Sequence, residues 1–241
     1  APTVIGKGTT GSGTGLIATP GYPATPLAND VIWLLAISHQ PVSIGVISTS
    51  AVGFTQAAQG TYQNSALANQ GRAGLWWKRA AGGESGTINV DRTGDTGNDT
   101  SFLVQLYLTR NHIQTGSPYE NLTARYGPGG ASVVWDSVTV SGASTLVLAF
   151  VGQADNLSTV DPPTGYTALA TDVTGAGTDS EVRLCYADNS ASAPQTSGTG
   201  GETEGWGSFH ISAPPIPVQS LIATGIPTEE NLGAAVLTFS I

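Results

Sequence analysis

Hydrophobic and polar residues alternate with a period of two along much of the chain. In Val31–Ser38, residues Val31, Trp33, Leu35 and Ile37 fall on one face of a strand and Ile32, Leu34 and Ala36 on the other. Both faces are apolar, which predicts a strand covered on both sides. In SFLVQLYLTR (101–110), Phe102, Val104, Leu106 and Leu108 share one face; Ser101, Gln105 and Thr109 lie on the other, with Leu103 and Tyr107 as its apolar members. SVTVSG (137–142), TLVLAFVG (145–152), EVRLCYA (181–187) and SFHIS (208–212) read as further short strands separated by Gly, Pro, Asn and Asp. ALANQGRAG (66–74) predicts a turn of helix ended by Gly71. The pattern is that of an all-β protein.

One stretch is written twice. LANDVIWLLAISHQ (27–40) is echoed by VSGASTLVLAFVGQ (140–153) at an offset of 113. Gly53-Phe54-Thr55 then matches Gly165-Tyr166-Thr167 at 112, Leu75 of GLWWKRAAG matches Leu184 of RLCYADNSA at 109, and LYLT (106–109) matches FHIS (209–212) at 103. Four matches in one order predict two related halves of about four strands, roughly 27–126 and 131–213. Four strands leave an apolar face uncovered, so the halves are expected to close on each other. The expected fold is a single β-sandwich of jelly-roll or Greek-key type over residues 27–213. Two small domains split at the RYGPGGAS stretch, near Gly127–Gly130, are the lesser alternative. Residues 1–26 form an extended Gly/Thr- and Pro-rich arm, and residues 214–241 a Pro-led tail ending in the apolar strand AVLTFSI.

Composition narrows the function. Only 10% of the 241 residues are charged and the net charge is −9, with two lysines, Lys7 and Lys78. No basic face is available to neutralise nucleic-acid phosphates, so no nucleic-acid partner is expected. No apolar run is long enough to predict a membrane-spanning helix. The start, APTVIGKG, lacks the charged and apolar regions of a signal peptide, and Ala1 is of the kind that permits removal of an initiator methionine. Cys185 is the single cysteine, so neither an internal disulfide nor a cysteine zinc site is expected.

Candidate chemistry is sparse. GKGTTGSGTG (6–15) has Lys7 ahead of its glycines and no helix after them, unlike a phosphate-binding loop. DRTGDTGNDT places Asp91, Asp95 and Asp99 four apart, oxygen-rich enough for calcium but without EF-hand order, and turn-forming Asp and Gly explain it more simply. His39, His112 and His210 are far apart and form no zinc-binding pair, which points to structural roles. Ser85 in GGESG is out of register for a nucleophile elbow. Trp76, Trp77 and Tyr186 hold equivalent places in the two halves and would stack on sugars if exposed, although a strand pattern favours core packing for at least one tryptophan. Asn98, Asn121 and Asn156 open glycosylation triplets that matter only in a secretory compartment. No catalytic, cofactor-binding or metal-ligating residue is assigned, and no cofactor.

ATPLANDVIWLLAISHQ, VGFT, LWWKRAAGGESGTINV and TLVLAFVG…PPTGYT together resemble β-sandwich modules of tailed-bacteriophage virion proteins, over about residues 24–213. GIPTEENLGAAVL is similar to a short motif of phage structural proteins, Ile-Pro-Ser-x-Glu-x-Phe-Gly-x-Pro-x-Val. Ile226, Pro227, Thr228, Glu230 and Gly233 match or nearly match it, whereas Leu232 replaces the aromatic residue, Ala235 the second proline and Leu237 the final valine. The resemblance implies a non-enzymatic virion structural protein assembled in the host cytoplasm. The first expectation is a capsid decoration or cement protein on the outer capsid surface, a homo-oligomer such as a trimer, contacting the major capsid protein or other virion proteins. A tail or tail-fibre component, or a carbohydrate-binding β-sandwich module, is the alternative.

Overall fold

The computed structural model describes residues 1–40, 46–49, 53–63, 70–93, 101–128, 133–142, 144–154, 162–174, 180–187, 196–198 and 205–216. Its first nine strands are β1 (Thr3–Lys7), β2 (Gly11–Gly13), β3 (Ile17–Ala18), β4 (Val31–Gln40), β5 (Val46–Thr49), β6 (Thr55–Gln63), β7 (Gln70–Arg79), β8 (Val90–Thr93) and β9 (Phe102–Arg110). The remaining eight are β10 (Asn121–Gly127), β11 (Val133–Trp135), β12 (Leu146–Ala154), β13 (Thr167–Ala168), β14 (Asp172–Thr174), β15 (Ser180–Ala187), β16 (Thr196–Gly198) and β17 (Trp206–Ala213). All pairings are antiparallel, and no helix occurs among the described residues. The protein is an all-β sandwich.

One six-stranded sheet runs β1–β9–β4–β7–β6, with β2 also on β9; the other runs β10–β17–β12–β15–β13, with β14 also on β15. Their facing sides form the central core. Trp33, Leu35, Ile37, Leu75 and Tyr107 of the first sheet pack against Leu148, Phe150, Leu184, Phe209 and Ile211 of the second. Each such burial stabilises by roughly 1.5–3 kcal/mol. The two chain halves therefore share one core and do not stand apart as separate domains.

The two-faced hydrophobicity of β4 is met by a further layer. Ile32, Leu34 and Ala36, with Phe102, Val104 and Leu106 of β9, are covered by the three-stranded sheet β3–β8–β5 through Ala18, Ile47 and Val90. On the far side, Val133 and Trp135 of the two-stranded sheet β11–β16 cover Ala149, Val151 and Cys185. The sandwich is thus four layers deep. Residues 3–110 supply two layers and residues 121–213 the other two. A jelly roll passes the chain back and forth between two sheets; here one pair of layers is finished before the next begins.

The registers place the internal echo residue by residue. Thr55 pairs with Trp77 and Thr167 with Tyr186, offsets of 112 and 109. Gly53 (φ 93°) and Gly165 (φ 84°) make the same left-handed turn before these strands, a conformation open to glycine at little cost. The aromatic residues that follow, Phe54 and Tyr166, each pack under the outer cover. Trp33 and Leu148 then occupy the same place opposite Trp77 and Tyr186, an offset of 115 that differs from 113 by two and keeps the face. Tyr107 and Ile211 correspond at 104 instead of 103. The match of LYLT to FHIS is one residue out of phase: Leu106 faces the outer cover and Phe209 the central core.

Three other expectations change. SVTVSG (137–142) is not a strand; the short strand of this stretch is Val133–Trp135. Residues 70–74 belong to β7 and not to a helix; Gly71 lies so close under the Tyr62 ring that a Cβ there would come within 2.0 Å of it. Residues 66–69 lie outside the described residues. The N-terminal segment is extended but does not hang free: β1 and β2 pair with β9, β3 pairs with β8, and Gly21 bridges Thr87. From residue 217 onward the tail, with its motif and final strand, lies outside the described residues.

Candidate functional site

Among the described residues, four networks of polar groups stand out. The first lies where the chain leaves β9. Trp33 Nε1 donates to Thr109 Oγ1 (2.8 Å), which lies 2.6 Å from His112 Nε2, while His112 Nδ1 faces the Pro118 carbonyl at 3.2 Å. A carbonyl accepts only, so Nδ1 carries the proton and Nε2 accepts from the Thr109 hydroxyl. A hydroxyl beside an imidazole is the spacing of a nucleophile and its base. Here both residues are buried, and the tryptophan N–H occupies the hydroxyl oxygen. Burial lowers the pKa of His112 to about 4, with Arg79 acting in the same sense against the Pro118 carbonyl and Asp30. The imidazole is neutral at pH 7 and acts as a fastener.

Beside it is a cleft of about 180 Å³ lined by Leu27, Asn29, Asp30, Arg110, His112 and Ile216, among others. Arg110 grips Asp30 with two hydrogen bonds, 2.8 and 2.7 Å, and the Leu27 amide donates to the same carboxylate at 2.9 Å. These charges close the start of β4 onto the end of β9.

The second network bolts the outer cover to the second sheet. His210 Nδ1 donates to the Asp136 carbonyl (2.7 Å), leaving Nε2 to accept from the Tyr166 hydroxyl (2.8 Å); Ser208 Oγ donates to the Val134 carbonyl at 2.6 Å. Burial lowers the pKa of His210. The third is centred on Arg92, 1% exposed, which donates to the carbonyls of Thr14, Gly15 and Ser101 and to Ser38 Oγ at 2.8 to 3.1 Å, above the Phe102 ring. The fourth holds Lys78 between the Tyr22 and Phe54 rings, 5.0 and 5.6 Å from their centres, with Glu84 at 3.4 Å.

The residues singled out from sequence do not converge. Asp91 lies in β8 opposite Ile17 and Ser48, while Asp95 and Asp99 fall outside the described residues. Among the described residues, no three His, Cys, Asp or Glu side chains are grouped to hold a metal. Trp76 is 4% exposed in the outer core, and the half-buried Trp77 and Tyr186 pack against the central one. His39 is buried in β4. Lys7 pairs with Asp172 at 2.5 Å, Ser85 is exposed in the turn after β7, and Asn121 donates to the Thr139 carbonyl. Asn98 and Asn156 lie outside the described residues. Burial pushes the Cys185 thiol up to about 12.

Sequence reasoning missed Arg92, Thr109 and the Asp30–Arg110 pair. Partners 76 to 80 residues apart leave no local signal. A lone arginine in a charge-poor chain was the one available clue. Comparison with known proteins finds no family model, no curated protein and no solved structure that matches the chain.

Proposed function

We propose that this is a non-enzymatic structural protein of a tailed-phage virion, most simply a decoration or cement protein on the outer capsid surface. The observation that carries the reading is how the buried polar groups are used. The arginine, histidine and hydroxyl groups that elsewhere perform chemistry are spent here on fastening strand to strand and layer to layer. Together with the resemblance of residues 24–213 and of the tail motif to phage structural proteins, this favours a load-carrying role. A rigid body of low charge, stitched through four layers, suits a particle surface exposed to solvent and mechanical stress.

The test is copy number and position. Quantitative mass spectrometry of phage particles purified from cells that produce this chain, with imaging of particles assembled beside a tagged copy, is expected to find hundreds of copies over the capsid. A few copies at one vertex would favour a tail component, and absence from the particle would refute the proposal.

A further inference from the structure

The two lysines of the chain are held differently. Lys78 sits between two aromatic rings with Glu84 at 3.4 Å, an ordinary distance for an ion pair. Lys7 Nζ lies 2.5 Å from Asp172 Oδ2, closer than the roughly 2.7–2.9 Å usual for an ammonium–carboxylate hydrogen bond. The Ala170 carbonyl oxygen steadies the same nitrogen from 3.0 Å. The pair joins β1 of the first half to β14 of the second, 165 residues away in sequence.

The backbone brings these groups together on purpose-built strands. A bulge between Val4 and Gly6 shifts β1 by one residue, so that Lys7 stands opposite Tyr107 instead of Leu106. Tyr107 faces the central core and Leu106 the outer one. Residues directly opposite in an antiparallel pair share a face, so the bulge turns Lys7 inward to the seam between the sheets. Asp172 stands opposite Val182, which also faces the central core, and reaches the same seam from the second sheet. Both side chains are largely withdrawn from water, 23% and 16% exposed. Tyr107 is fully buried there. Burial raises the pKa of its hydroxyl well above the ordinary tyrosine value and the Asp172 carboxylate adds to the rise, so a protonated phenol lies near that carboxylate.

An amine fixed against a carboxyl group in such a site can do more than pair with it. Adding one C–O bond of about 1.2 Å to the contact, Asp172 Cγ lies no more than about 3.7 Å from Nζ, near the roughly 3–3.5 Å of reacting atoms poised for attack. Groups held in that geometry reach effective molarities on the order of 10⁵ M or more, which outweighs the water that drives hydrolysis.

We propose that Lys7 and Asp172 condense to an amide, a covalent cross-link between β1 and β14 that forms within the folded chain. One proton passes from the ammonium to the carboxylate, giving an amine and a carboxylic acid. The nitrogen lone pair attacks Cγ and the C=O π pair moves onto oxygen, where the Tyr107 hydroxyl donates a hydrogen bond. The nitrogen loses a proton to the departing hydroxyl group, which leaves as water while the C=O bond re-forms. An ammonium and a carboxylate are consumed, one amide and one water are produced, and no oxidant or co-reactant is required. The link ties the first strand of one half to the sheet of the other, and it holds whether or not the chain belongs to a virion.

The test is intact-mass spectrometry of the full chain, incubated folded at neutral pH and then unfolded in acid. The mass is expected to fall one water below that of the sequence, and proteolysis is expected to release a branched peptide joining Lys7 to Asp172. Lys7→Arg keeps a positive charge beside Asp172 but not a nucleophilic amine, and is expected to keep its full mass. Tyr107→Phe preserves the buried ring and is expected to reach the lighter mass about tenfold or more slowly. Full mass in the wild type, which an ion pair alone predicts, would overturn the proposal, as would a water lost between any other residues. Equal rates in the wild type and Tyr107→Phe would overturn the part given to Tyr107.

Discussion

Acid should weaken the fold through His112, and the size of the effect follows from its surroundings. The imidazole is buried, its Nε2 accepts a hydrogen bond from the Thr109 hydroxyl, and its pKa is lowered from 6.5 to about 4. Between those values the unfolded chain binds a proton that the folded one refuses, so stability falls as pH drops from 6.5 through 4 and is fully present above 6.5. A lowering of about 2.5 pH units at 1.36 kcal/mol each amounts to roughly 3 kcal/mol. The assay is urea unfolding followed by tryptophan fluorescence between pH 7.5 and 4, on the protein and on His112→Gln. His210 and the carboxylates are common to both chains, so the difference between the two curves isolates His112. The wild type is expected to lose roughly 3 kcal/mol more than the variant across that range. Parallel curves would show that His112 titrates normally and that the closed network does not hold it neutral.

Other outcomes follow from the same contacts. Arg92→Met leaves the Thr14, Gly15 and Ser101 carbonyls without their buried donor; a loss of about 3–5 kcal/mol and faster proteolysis within residues 1–18 are expected, whereas an unchanged cleavage rate would count against the stitching role. Gly207→Ala would place a Cβ 2.3 Å from the Ala73 Cβ across the central core, costing about 1–3 kcal/mol; adding Ala73→Gly should recover part of that cost, and purely additive losses would contradict the contact. Cys185, buried with its thiol raised to about 12, should be alkylated at pH 8 only as fast as the fold opens, so a rate independent of denaturant would refute its burial.

Much of the fold was legible because burial writes itself into alternation. β4 announced two covered faces, and Gly53-Phe54-Thr55 with Gly165-Tyr166-Thr167 announced equivalent turns, since a left-handed glycine followed by a packed aromatic residue is a local requirement. The phase of β9 against β17 was not legible. β9 mixes Leu103 and Tyr107 with Gln105 and Thr109 on one face, while β17 sets Ser208 and His210 against the backbone of its cover, so hydrophobicity alone could not align them. The stretch at 70–74 misled because its glycines, which argue against strand by propensity, are required there by aromatic rings, Gly71 by Tyr62 of β6 and Gly74 by Trp76 of β7.

By itself, then, the amino-acid order determined the class of structure and most of its strands. Those depend on the period of a strand and on the tight turns that bound it. Which layer covers which face, where residues 1–18 lie, and which buried polar groups meet were decided only in three dimensions. Thr109 and Trp33, or Arg92 and Thr14, are far apart along the chain, and it is the stacking of four layers that removes water and makes each of those hydrogen bonds necessary.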